Sequence, residues 1–124
     1  MEKLSIRDLL PGHWIRSYGE NDQILDIDQS EDGKWWFFAK EHNAWCDCDE
    51  IYPIPLDSYI LEETGFIKAA DGSYVMDDVK LYPGFKIIQC GKRLIYSSES
   101  TIAVHQLQDI FRLCGIKKEI KGLI

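Results

Sequence analysis

The sequence predicts an α+β fold: a small SH3-like β-barrel followed by a short helix, a β-meander and a C-terminal amphipathic helix. Three observations lead there. Residues 13–51 form short alternating runs separated by tight-turn residues; residues 53–66 carry both start and stop signals for a short helix; residues 101–114 repeat apolar side chains at helical spacing. With 124 residues, the chain is one domain or two small lobes sharing a core. Folding at this length hides roughly two thirds of the unfolded surface. The expected lobes are 1–54, the barrel, and 55–124, an α+β lobe packed on the first as one compact unit.

Each element has a local cause. Ile6 to Leu10 allows one helical turn before the Pro11-Gly12 turn. Strands then run over His13–Tyr18, Gln23–Asp28, Lys34–Ala39 and Ala44–Ile51. The second alternates only imperfectly. Asp32-Gly33 supplies the backbone shape of a tight hairpin. In PIPLDSYILEETGF, Asp57 is the expected N-cap, Leu56 and Leu61 form a hydrophobic staple, and Gly65 is a left-handed C′ residue. This helix is expected to clamp the lobes. Asp71-Gly72 and Cys90-Gly91 turn two hairpins, with Asp77 and Asp78 in the connector. The last helix, Thr101–Cys114, is expected to be capped by Ser100 or Thr101 and stopped at Gly115, with a frayed tail or terminal strand beyond.

Charge narrows the functional classes. Net charge is −7, and it is concentrated: residues 1–55 hold 5 Lys/Arg against 12 Asp/Glu, while residues 56–124 hold 9 against 9. An acidic first half repels phosphate backbones and suits a basic protein partner. No run approaches the ~20 apolar residues of a membrane span. The N-terminal MEKLSIRDLL lacks a secretory h-region, so a cytoplasmic protein with reduced thiols is expected.

KWWFFAKEHNAWCDCDE, residues 34–50, is the richest stretch. Neighbouring strand residues face opposite ways, so one core cannot bury Trp35, Trp36, Phe37 and Phe38 together. With Trp36 and Phe38 inward, Trp35 and Phe37 face outward and need cover from another lobe, a second copy of the chain (self-association) or a ligand. Trp35, Phe37 and Trp45 are therefore the expected anchors, rimmed by Asp47, Asp49 and Glu50. A second contact face is expected on the last helix, where His105, Gln108 and Arg112 share a stripe with Asp109.

Other chemistry is thinly represented. Cys46 and Cys48 could supply half of a zinc site, but Cys90, Cys114, His13, His42 or His105 would have to converge on them. Two buried thiols are the simpler reading. No phosphate-binding glycine loop, EF-hand or nucleophile triad is present. No cofactor and no catalytic residue is assigned. The leading expectation is a non-enzymatic protein–protein interaction or accessory factor. One alternative is a small hydrolase using His105 and carboxylates. The other is a nucleic-acid module using Lys86, Lys92, Arg93, Arg112, Lys117, Lys118 and Lys121, should they gather on one face.

Four segments carry a resemblance: Gly12-His13-Trp14-Ile15, Pro53-Ile54-Pro55-Leu56-Asp57, Ile60-Leu61 with Gly65-Phe66, and Val104-His105-Gln106-Leu107-Gln108-Asp109-Ile110-Phe111 followed by Leu113-Cys114-Gly115. Together they resemble a group of short uncharacterised proteins from Bacteroidetes genomes and their phages or mobile elements. That group carries P-I-P-L-T and H-Q-L-Q-N type motifs; Asp57 and Asp109 replace its Thr and Asn here. The resemblance implies architecture and provenance. It brings no activity.

Overall fold

The computed structural model describes residues 3–92 and 94–124. The chain divides into two compact units, Met1–Ile54 and Pro55–Ile124.

The first unit opens with a 3₁₀ turn at Ile6–Asp8, whose Arg7 amide donates to Ser5 Oγ at 3.3 Å. Five strands follow: β1 (Trp14–Ser17), β2 (Glu20–Gln29), β3 (Trp35–Ala39), β4 (Ala44–Asp47) and β5 (Ile51–Tyr52). Tyr18 and Gly19 both take positive φ, at 50° and 80°, and close the β1–β2 hairpin. The ladder order is β4-β3-β2-β1-β5, and every pairing is antiparallel.

This corrects the SH3-like barrel. The sheet is open, with β4 and β5 as its two edges and no ladder joining them among the described residues. A 3₁₀ turn, Cys48–Glu50, carries the chain from β4 into β5, which meets β1 through only two residue pairs. Closure requires matched strand tilt and stagger, and strand count supplies neither.

β2 explains its own imperfect alternation. The register to β3 slips between Ile24 and Asp26, leaving Leu25 as the extra residue of a bulge. Ile24 is fully buried and Leu25 is exposed; Ile27, three residues from Ile24, again packs on the core. That core is Leu9, Ile15, Ile24, Phe37, Ala39 and Ile51.

The second unit begins with α1 (Ser58–Thr64), and its signals are realised as expected. Asp57 Oδ1 accepts the Ile60 amide at 2.8 Å, and Leu56 and Leu61 are both buried. Gly65, at φ 121°, and Phe66 donate their amides to the Leu61 carbonyl at 3.1 and 2.9 Å, ending the helix. Then comes an antiparallel meander: β6 (Ile67–Lys68), β7 (Tyr74–Met76), β8 (Val79–Leu81), β9 (Ile87–Cys90) and β10 (Leu94–Ser97). Strand β8 falls where only a connector was expected. Asp77 takes φ 49°, so Asp77-Asp78 makes a two-residue turn between Met76 and Val79 without glycine. Tyr74, Met76, Val79, Leu81, Ile88 and Cys90 are buried along the sheet's inner rows.

Helix α2 spans Val104–Leu113, three residues shorter at its start than the periodicity predicts. Ala103 is held in an isolated bridge with Pro55, and its amide donates to Gln106 Oε1 at 2.8 Å. Neither Ser100 nor Thr101 is the N-cap. Phe66 and Phe111 stack at 6.2 Å. The tail forms no strand, yet it is anchored: Ile120 and Leu123 are buried, and the Lys121 amide donates to Thr64 Oγ1 at 3.0 Å.

Candidate functional site

The aromatic run is sorted by register. Phe38 stands opposite Asp26 on one side and Trp45 on the other; Trp36 stands between Asp28 and Asp47. Cross-strand partners share a face, so these six residues form two adjacent outward rows over β2, β3 and β4. Phe38 and Trp45 meet edge to face at 5.5 Å. Lys34 Nζ sits 4.8 Å from the Trp36 ring centroid and 2.8 Å from Asp47. Trp36 and Phe38 are half-buried, while Trp45 remains 45% exposed.

This reverses the expected orientation. Phe37 points into the core and is fully buried, so it leaves the anchor set. Trp35 shares its parity and, at the first position of the strand, is 36% exposed. Trp45 lies on the outer face, away from both. Four consecutive aromatics offer no contrast from which to read parity. The signal available was Asp26-x-Asp28, whose carboxylates mark the solvent side of the neighbouring strand.

The acidic rim is partly committed within the unit. Asp47 is held below the usual carboxylate range by the Lys34 ammonium and by the Asp49 amide, which it accepts at 2.9 Å. Glu50 accepts the Tyr52 hydroxyl at 3.0 Å and pairs with Lys3 at 3.3 Å. Asp49 is exposed. Asp26 and Asp28 each accept the following backbone amide, at 2.9 and 2.8 Å, and stand exposed.

Cys46 and Cys48 pack against the first unit's core. Burial raises Cys46, and burial with the charges of Asp47 and Asp49 pushes Cys48 up to about 11, so both are thiols at neutral pH. Among the described residues, no group of three or more His, Cys, Asp or Glu side chains is placed to hold a metal ion.

The second contact face is also rearranged. His105 is 7% exposed, in the first turn of α2, rather than on the solvent stripe. Gln108 and Asp109 are half-buried, and Arg112 is exposed, 3.8 Å from Asp109. His105 therefore does not stand on the exposed helix face with Arg112. Of the basic residues considered for nucleic acid, Arg112 is paired with Asp109 and Lys118 Nζ lies over Gly65; Arg93 falls outside the described residues.

Comparison with protein-family models, curated proteins and solved structures finds no match. Among the described residues, no helix is long and apolar enough to cross a membrane.

Proposed function

We propose that the chain is a non-enzymatic interaction or accessory factor whose first unit receives an extended Lys/Arg-bearing segment of a partner protein. The observation that carries this reading is the pair of outward rows, Asp26–Phe38–Trp45 and Asp28–Trp36–Asp47. Aromatic rings offer a large apolar contact at low conformational cost, and guanidinium groups stack on them. The flanking carboxylates supply complementary charge. Lys34 over Trp36, paired with Asp47, is an internal version of the contact a partner's cation would make. The net charge of −7 supports a cationic partner over a nucleic acid. On the motif resemblance, we infer that this factor belongs to a bacterial phage- or mobile-element-derived gene set, and we keep the cytoplasm as its expected compartment.

The test is a binding titration followed by tryptophan fluorescence, using a panel of Lys/Arg-rich peptides, acidic control peptides and single-stranded DNA. Basic peptides should bind, and Trp45→Ala should weaken them tenfold or more while far-UV circular dichroism stays unchanged. Equal binding of acidic controls, or full affinity in Trp45→Ala, overturns the proposal. Preferential binding of DNA overturns it in favour of the basic residues of the second unit.

A further inference from the structure

The second unit holds an open cleft of about 750 Å³ whose wall carries two cysteines, Cys90 from the end of β9 and Cys114 from the C-cap of α2. Both are free. They are separated by 24 positions in sequence and lie on different elements, yet both line this one cleft, where the two thiols interact. Met76 and Leu113 add apolar wall; Asp77 and Lys92 add charge of both signs.

We propose that Cys90 and Cys114 form a thiol–disulfide exchange site that accepts a small-molecule disulfide in this cleft.

The two sulfurs have unequal surroundings, and that sets their roles. Cys114 is half-exposed at the helix end, so it is the attacking sulfur. Cys90 is buried. Burial, followed by the neighbouring Cys114, pushes Cys90 up to about 12, so Cys90 is protonated while Cys114 attacks and loses its proton only in the second step. In the first step the Cys114 thiolate, its proton lost to solvent, attacks a disulfide R–S–S–R. A Cys114–S–S–R bond forms and one RS⁻ leaves, taking up a proton. In the second, Cys90 passes its proton to solvent or to the departing thiolate and attacks Cys114 Sγ; the Cys90–Cys114 bond forms and the second RSH leaves. The protein loses two electrons, and one R–S–S–R becomes two RSH. Cys46 and Cys48, packed on the other unit's core, have no part in it.

The probe is oxidised glutathione, added to the full native chain and followed by intact mass and peptide mapping. Wild type should form the Cys90–Cys114 disulfide and melt at a higher temperature, because a cross-link constrains the unfolded chain. Cys90→Ser should accumulate glutathione on Cys114, whereas Cys114→Ser should leave Cys90 unmodified. Should either variant fail to fold, timed alkylation of reduced wild type replaces it, with Cys114 labelled before Cys90. A Cys46–Cys48 disulfide in place of Cys90–Cys114, no disulfide without denaturant, or faster labelling of Cys90 overturns the proposal.

Discussion

Phe37 and Trp45 stand one cross-strand row apart yet belong to opposite faces, and substitution should separate them sharply. Phe37→Ala empties a fully buried site and should cost about 3–5 kcal/mol. Trp45→Ala removes an exposed ring and one edge-to-face pair, a loss of about 0.5–1.5 kcal/mol. Urea unfolding of the two variants checks the ranking; equal losses would contradict the assigned parity. His42 gives a second residue-level prediction. Its Nδ1 lies 2.5 Å from fully buried Asp22, and its Nε2 lies 3.1 Å from Glu20. The hydrogen bond to Asp22 raises the imidazole above its ordinary 6.5, against the opposing effect of burial. A raised folded value stabilises the protonated form. The contribution is therefore fully present below pH 6.5 and fades as pH rises through the higher folded value. His42→Gln should flatten the melting temperature against pH across that window.

At the scale of elements, caps and turns carry testable weight. Asp57→Ala removes the acceptor of the Ile60 amide at the start of α1 and should cost about 1 kcal/mol. Gly122→Ala acts on the tail: φ is 81°, and an added Cβ would lie 3.1 Å from the Tyr59 ring. Thermal melts should show this substitution more harmful than Gly84→Ala, where φ is also positive but the space is open. The β6–β7 turn has a pH dependence opposite to that of His42. Asp71 accepts the Ser73 hydroxyl and amide, and these bonds lower it to about 2. Stability from this turn is present above pH 3.8 and is lost as pH falls toward 2; Ser73→Ala should shrink that acid-side loss. The α1 caps were legible because the signals lie within four residues of their targets. The start of α2 was not, because Ala103 is held by a bridge to Pro55, 48 positions away.

For the whole molecule, the asymmetric charge predicts the behaviour of any complex. Residues 1–55 hold 12 acidic against 5 basic side chains, so binding of a basic segment to the first unit should weaken steadily with added salt. An affinity indifferent to ionic strength would locate recognition in the aromatic rings alone. The open sheet also bears on assembly. β4 is an edge, and its Ala44 and Trp45 are exposed, so the rim of the aromatic face adjoins unpaired backbone.

Local signals along the chain carry the α+β composition, most strand positions, the complete grammar of α1 and the acidic bias of the first half. These rest on local propensity, turn chemistry and charge counting, which act over a few residues or none. The folded chain adds what such signals cannot: the first sheet stays open, Phe37 faces in while Trp36 and Phe38 face out, His105 is buried, and Cys90 and Cys114 line one cleft. Each of those depends on register or on contacts between distant segments. A one-residue bulge at Leu25 is enough to change which side chains share a face, and nothing within a few residues of Trp35 records it.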